Sequence, residues 1–149
     1  MMTQALTGGR QCGATRYRLL EEPTGASICH CRMCQKAFGG YFAALAGVPP
    51  DKLEWTRGAP SIYRSSEAAE RGFCAACGTP LTFHYVGSNR ISVALGSLDE
   101  PERAPPTRAY GLESKLSFFH TLDGLPGTRT EQDAPPEELA RMAPLARPD

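Results

Sequence analysis

The sequence predicts a mainly β fold with few helices, built as one domain. Two observations carry this prediction: short segments that alternate apolar and polar residues recur along the chain, and glycines and prolines bound nearly all of them. A third observation concerns size. The chain of 149 residues is long enough to enclose one core, and no shift in composition divides it before the polar end.

The first half of the chain predicts two pairs of strands and a longer buried strand. Residues 6–20 alternate around a turn and predict a hairpin with Cys12 at or near its tip. The run 41–48 lies between glycines and prolines, and its length and aromatic start favour a buried strand. Segments 52–56 and 61–65 repeat the strand, turn, strand pattern.

The second half predicts one more hairpin, followed by a proline-rich loop and a polar C-terminal segment. Residues 81–86 and 91–95 alternate on either side of a Gly-Ser-Asn turn. A proline-rich loop follows at 101–106. Beyond residue 127 the chain is polar and punctuated by prolines, with at most a short helix at 136–142. We therefore expect a domain over residues 1–127 and a weakly ordered tail over 128–149.

Charge and hydropathy exclude several classes of partner. Lysine plus arginine and aspartate plus glutamate number 16 each, so no net charge draws the chain to nucleic acid or to an anionic membrane. The start lacks a basic leader before an apolar run, and no stretch approaches 18 uninterrupted apolar residues. We expect a cytoplasmic protein, where six clustered cysteines indicate metal binding more than disulfides, although an even count is compatible with three disulfides.

The first cysteine cluster consists of Cys29, Cys31 and Cys34, three thiols within six residues. Thiolates are soft ligands that zinc prefers, and several from one loop can meet at about 2.3 Å from one ion. Three protein ligands leave a fourth tetrahedral position open, as in catalytic zinc sites. The following residues suit a helix, Arg32–Phe38, with Cys34 in its first turn. The alternatives are a disulfide within the loop and three packed small residues.

The second cluster is a knuckle made by Cys74 and Cys77, for which Cys12 is the obvious third ligand. A fourth cysteine is lacking, because Arg10 stands two residues before Cys12 and has no lone pair for a metal. Three outcomes stay open. The site holds zinc with three thiolates and water or another side chain, with Arg10 offsetting its charge; it borrows a thiolate from the first cluster; or it is empty. In a metal-free hairpin pair, Cys12 is simply packed.

Histidines and cations supply the other candidates. His84 lies in a predicted strand and is best interpreted as a half-buried sheet residue, whereas His30 stands between two candidate ligands, where its ring could contact a substrate. His120 gives no clear signal. Four cations flank the cysteines and, beside a thiolate-rich metal site, would lower thiol pKa values and attract a carboxylate-bearing substrate. These cations are Arg10, Arg32, Lys36 and Arg71.

Four motifs together resemble one protein family. They are residues 9–13 (Gly-Arg-Gln-Cys-Gly), residues 29–34 with the glycines at 39 and 40, residues 73–79 (Phe-Cys-Ala-Ala-Cys-Gly-Thr) and residues 113–118 (Glu-Ser-Lys-Leu-Ser-Phe). In order and spacing, over about residues 8–126, the chain resembles the glutathione-dependent formaldehyde-activating enzymes, a family shared with the centromere protein V domain. It departs from the family pattern at Arg10, where cysteine is usual, and at residues 117–118, where Pro-Trp is usual.

The resemblance implies a β-tent, in which two twisted antiparallel sheets meet along one edge and are held by zinc. It places Cys12, Cys74 and Cys77 on the structural zinc positions and Cys29, Cys31 and Cys34 on the catalytic ones, so one or two zinc ions per chain are expected. It implies carbon–sulfur lyase chemistry on an adduct of a thiol such as glutathione with an aldehyde. In that setting, Arg32 and Lys36 are candidate clamps for glutathione carboxylates.

Two other interpretations compete with the enzyme. One is a non-catalytic zinc module that binds a thiol metabolite, a protein or a metal for transfer; a closed metal shell would favour it, and an open position in a basic pocket would favour the enzyme. The other is a redox switch in which the first cluster cycles between thiol and disulfide. The sequence leaves the aldehyde undetermined and is compatible with a homodimer.

Overall fold

Two β-sheets carry the fold in the computed structural model, which describes residues 4–142. The mainly β prediction is confirmed. The smaller sheet has three strands in the order β1, β2, β5, and the larger has seven in the order β10, β3, β4, β9, β8, β7, β6. The strands are β1 (Leu6–Gly9), β2 (Arg16–Leu19), β3 (Thr24–Cys29), β4 (Ala43–Val48), β5 (Leu53–Arg57), β6 (Ser61–Arg64), β7 (Ala69–Phe73), β8 (Pro80–Tyr85), β9 (Ile91–Ala94) and β10 (Arg108–Tyr110).

The three α-helices within residues 4–142 are short, and five 3-10 turns accompany them. The predicted helix forms as α1 (Arg32–Phe38) and ends at Gly39, which adopts the left-handed conformation with φ of 66°. Two more lie in the C-terminal segment: α2 (Thr130–Asp133) and α3 (Pro136–Arg141), the second where the sequence predicted one. Residues 143–149 of the expected tail lie outside the described residues. Within residues 4–142, no helix combines the length and apolar character needed to cross a bilayer.

Strand pairing differs from the sequence expectation in two places. β5 and β6 follow one another in the chain but belong to different sheets, since β5 pairs with β2 and β6 with β7. β10 was not predicted, because its three residues are exposed and show no alternation. It pairs in parallel with β3. The resemblance implied two antiparallel sheets, and this pair is an exception in the larger one. This pairing brings the 108–110 segment beside Cys29.

The hydrophobic core lies between the sheets and is organised around Tyr17 of β2. Tyr17 is fully buried, and its ring meets Trp55 edge to face at 5.7 Å between centroids. Ser97 Oγ donates to the Ala94 carbonyl at 2.6 Å and therefore accepts from the Tyr17 hydroxyl at 2.7 Å. Burial raises the pKa of Tyr17 to about 12, which keeps this hydroxyl a donor. The contact ties the small sheet to the segment after β9.

An ion pair on the surface reinforces the same junction. Asp99 accepts from Arg16 Nη1 at 2.9 Å and from Nη2, and also from Thr7 Oγ1 at 2.5 Å. The backbone N–H of Asp99 donates to the Thr7 carbonyl at 2.9 Å. Hydrogen bonds from Arg16 hold the pKa of Asp99 below its usual range.

The Asp99 pair predicts a stability that depends on pH. Because the pKa of Asp99 is lower in the folded chain, its contribution is present above the unfolded value of about 3.9 and disappears as the pH falls through the folded value. We expect Asp99→Asn to lower the free energy of unfolding by about 1 kcal/mol near neutral pH, allowing for partial exposure, and by less near pH 3. Urea unfolding at both pH values measures this. Glu54→Gln, which removes the exposed pair with Arg18, is the control and should have a smaller effect.

Gly111 predicts a second effect on stability. It adopts φ of 66°, and a Cβ there would lie 2.6 Å from the backbone nitrogen of Cys31. Gly25 has the same φ, but its Cβ would meet nothing within 4 Å. We expect Gly25→Ala to cost about 1–2 kcal/mol from backbone strain alone and Gly111→Ala to cost clearly more, measured by urea unfolding. Equal losses would show that the close approach to Cys31 is unimportant.

Candidate metal centres

The first cysteine cluster forms where β3 passes into α1. Cys29 is the last residue of β3, Cys31 is the N-cap of α1, and Cys34 lies in the first turn. The three Sγ atoms lie within 4.8 Å of one another, so this group could hold a metal ion. All three cysteines are free thiols, which does not support the intraloop disulfide. The convergence that the spacing predicted is therefore observed.

The thiols of this cluster differ in how readily they ionise. Burial raises the pKa of Cys29 to about 12. Burial also opposes ionisation of Cys31, but hydrogen bonds from the Cys34 backbone N–H and from the neighbouring thiols outweigh it and lower the pKa of Cys31. Without metal, Cys31 is thus the thiol that ionises most readily, and ionisation of Cys29 is opposed. A divalent cation is the group that would stabilise three thiolates together, with release of protons.

A cavity of about 440 Å³ opens beside this cluster on the face of the larger sheet opposite the core. Along β4, Leu45 lines the cavity while Ala46 and Val48 point into the core. The cavity wall combines cysteine, small polar and aromatic side chains, and the aromatic ones were not singled out from the sequence. The lining residues are Gly25, Ser27, Cys29, Cys34, Leu45, Phe83, Tyr85, Ser92 and Tyr110. Two cysteines of the cluster, Cys29 and Cys34, therefore line the cavity.

Arg71, one of the four flanking cations, is a buried neighbour of this cluster rather than a solvated charge. Only 4% of it is exposed, its Nη2 donates to Cys34 Sγ at 3.5 Å, and its guanidinium lies 4.8 Å from the centre of the Phe83 ring. Its Nε and Nη1 are buried without a hydrogen-bond partner. A guanidinium stays charged, and burying one without a counter-charge is costly. A three-thiolate metal centre, with net negative charge, fits this position.

The histidines are not ligands in either cluster. His30 is 1% exposed, and its ring packs edge to face on Phe119 at 4.7 Å between centroids, so a direct contact with substrate is not supported. His84 is half-buried in β8, with Nε2 3.0 Å from the Ser88 carbonyl, as the sequence interpretation expected. His120 is exposed.

Arg32 and Lys36, the candidate carboxylate clamps, are exposed on α1. The guanidinium of Arg32 donates to the side-chain oxygen of Gln35. Neither cation belongs to the lining of the 440 Å³ cavity. Their assignment to substrate carboxylates therefore stays a prediction, for groups of a substrate that extend out of the cavity and over α1.

The second cluster joins the two sheets. Cys12 lies in the loop between β1 and β2 of the smaller sheet, whereas Cys74 and Cys77 lie between β7 and β8 of the larger. Their Sγ atoms also lie within 4.8 Å of one another and could hold a metal ion. Within residues 4–142, the six cysteines form two separate groups of three. The alternative in which this cluster borrows a thiolate from the first is therefore wrong.

Arg10 contacts the second cluster directly. Its Nη1 donates to Cys74 Sγ at 2.6 Å, and its Nε is buried without a partner. Cys74 Sγ also accepts from the backbone N–H of Cys77 at 3.0 Å. The pKa of Cys77 falls to about 6 because hydrogen bonds, first among them from the Thr79 hydroxyl, outweigh its burial. The donor set is thus three sulfurs and an adjacent cation.

Comparisons with known proteins place the chain in context. The family model described as glutathione-dependent formaldehyde-activating enzyme matches residues 5–113, which stops short of most of the 113–118 motif. Among solved structures, the chain is similar to a crystal structure of a Rhodobacter sphaeroides protein, at 22% identity and a TM-score of 0.55, over 69% of this chain and 98% of that one. That likeness concerns the fold alone. No curated protein gives a match.

The matched range contains every element that builds the two clusters. All six cysteines, from Cys12 to Cys77, fall within residues 5–113. The arrangement of the two cysteine groups agrees with zinc binding, which the family resemblance implied. Because the family model covers more than half of the chain, this protein belongs to the glutathione-dependent formaldehyde-activating enzyme family.

Proposed function

We propose that this protein is a zinc-dependent carbon–sulfur lyase that acts on thiol–aldehyde adducts such as S-hydroxymethylglutathione. The single observation that carries the proposal is the open first cluster. Three sulfurs converge, two of the three cysteines line a cavity of about 440 Å³, and no fourth Cys, His, Asp or Glu of residues 4–142 joins them. A closed shell of four protein ligands would instead have favoured the non-catalytic zinc module.

The ligands would be Cys29, Cys31 and Cys34. Zinc held by three thiolates would keep an incoming thiol ionised at neutral pH, and it is a poorer Lewis acid than zinc held by three histidines. The chain itself contributes rigid placement. Cys31 Sγ accepts from the Cys34 backbone N–H at 3.4 Å, and Gln35 Nε2 donates to the His30 carbonyl at 2.7 Å. These contacts fix the loop that carries all three sulfurs.

The cavity offers both apolar surface and hydrogen-bonding groups to the proposed substrate. Phe83 and Tyr110 offer apolar surface, while the hydroxyls of Ser27 and Ser92 offer hydrogen bonds to peptide groups of a thiol such as glutathione. In the proposed reaction the carbon–sulfur bond breaks and its electron pair leaves with the sulfur as thiolate, while the adduct hydroxyl loses its proton to water and its oxygen becomes the carbonyl oxygen of the aldehyde. Free thiol groups are required, so the proposal includes a reducing compartment such as the cytoplasm.

The proposal predicts two metal ions per chain and their independent loss. We expect about two zinc ions in the purified protein, one in Cys31→Ala and one in Cys74→Ala, because the clusters are separate. Metal analysis by mass spectrometry measures this. A protein that loses both ions in either variant would require a shared site, and a chain without metal would exclude the proposed chemistry.

The same variants predict a difference in turnover. Equilibration of glutathione with formaldehyde should be faster with the protein than without it. The protein-dependent rate should be at least about 100-fold lower for Cys31→Ala. Cys74→Ala is the matched control, since it removes a cysteine from the other cluster, and should retain activity while folded. Exchange spectroscopy by nuclear magnetic resonance measures both rates. A rate equal to the uncatalysed background would leave the binding module as the better interpretation.

The carboxylate clamps give a further prediction. Lys36→Ala and Arg32→Ala should raise the KM for glutathione about threefold to tenfold and leave zinc content unchanged, because both cations are exposed beside Cys34 without being ligands. Arg64→Ala removes an exposed arginine from β6 and serves as the control. An unchanged KM in both α1 variants would remove these residues from the proposed site.

A further inference from the structure

Each three-cysteine cluster has an arginine directed at one of its sulfur atoms. Arg71 Nη2 donates to Cys34 Sγ at 3.5 Å in the first cluster, and Arg10 Nη1 donates to Cys74 Sγ at 2.6 Å in the second. The two arginines come from different places, since Arg71 lies within β7 whereas Arg10 follows β1. In both clusters the contacted sulfur belongs to a buried cysteine.

Within the part of the chain that the structure describes, neither arginine has a carboxylate to balance its charge. The ion pairs within residues 4–142 involve other cations, and the nearby Glu70 pairs with Arg64 at 3.7 Å. The Nε of both arginines and the Nη1 of Arg71 are buried without hydrogen-bond partners. Arg71 is buried and Arg10 half-buried. A guanidinium withdrawn from water retains its charge, so a nearby anion stabilises it. The sulfur clusters are the groups that these nitrogen atoms contact.

Charge balance suggests that each arginine neutralises one metal-loaded cluster. Three thiolates around a divalent cation carry a net charge of minus one, and one guanidinium neutralises it. We propose that each cluster is completed by an arginine acting as counter-charge instead of by a fourth protein ligand, Arg71 for the Cys29 cluster and Arg10 for the Cys12 cluster. Each loaded cluster would then be neutral, with three sulfur ligands and no fourth Cys, His, Asp or Glu ligand from residues 4–142.

This inference does not rest on the proposed reaction, because it concerns metal binding without substrate. In both clusters the guanidinium stabilises the sulfur ligands through a hydrogen bond to one of them, and such partners of metal ligands strongly affect affinity. At the second cluster, Arg10 stands at the position where the family pattern usually has cysteine, and its Nη1 contacts Cys74 Sγ. The replacement of that cysteine by arginine explains why this cluster has three cysteines and not four. Arg10 and Arg71 are positioning residues here, not ligands.

The test measures zinc dissociation constants by chelator competition in two single-cluster backgrounds. Cys74→Ala retains the first cluster and Cys31→Ala retains the second. In the first background, Arg71→Met should weaken zinc binding about tenfold or more, and Arg71→Lys, which keeps the charge, should stay within about threefold. In the second background, Arg10→Met and Arg10→Lys should show the same contrast.

Crossed combinations are the matched controls. Arg10→Met should leave the first cluster unchanged, and Arg71→Met should leave the second unchanged. The absorption of bound cobalt should keep its intense sulfur-to-metal bands in every variant, since the three ligands are retained. Equal affinities for the methionine and lysine variants, or an unchanged affinity in the methionine variants, would overturn the proposal. Arg10 is only half-buried, so its variants decide the matter if those of Arg71 do not fold.

Discussion

The structure depends on one constraint, the gathering of sulfur atoms at the ends of strands. In the first cluster, a tight passage from β3 into α1 brings three thiols together within six residues, and the helix cap formed by Cys31 fixes their relative positions. In the second, the sulfurs come from hairpins of different sheets. Three thiolates this close would repel one another, and in each cluster an arginine nitrogen lies within hydrogen-bond distance of one sulfur atom.

The two clusters have different relations to the fold. The second joins the smaller sheet to the larger one at the loop between β1 and β2. The Tyr17–Ser97 and Arg16–Asp99 contacts also connect the smaller sheet to the segment after β9. The first lies on the face of the larger sheet opposite the core, where Cys29 and Cys34 line a cavity. These positions support the proposal of a structural role for the second cluster and a chemical role for the first.

β10 connects the fold to the proposed chemistry. It pairs in parallel with β3, so Tyr110 lies opposite Cys29, and the Tyr110 carbonyl accepts from the His30 backbone N–H at 2.9 Å. The next residue, Gly111, leaves room for the backbone of Cys31. The segment after the proline-rich loop thereby becomes both a wall of the cavity and a support for the cysteine loop, although its sequence gives little sign of either.

The sequence by itself determined the mainly β class, the helix Arg32–Phe38, the hairpins around Cys12 and around residues 87–89, and the grouping of Cys29, Cys31 and Cys34, because these features depend on local periodicity and close spacing. It indicated Cys12 as the partner of Cys74 and Cys77 but left open a thiolate shared with the first cluster, which the tertiary structure decided. Only the tertiary structure decided which sheet each of β5 and β6 joins and that β10 pairs with β3, since these pairings link distant segments. It also decided that Arg71 is buried against Cys34 whereas Lys36 is exposed. Burial depends on what packs over a side chain, and a local pattern does not contain that information.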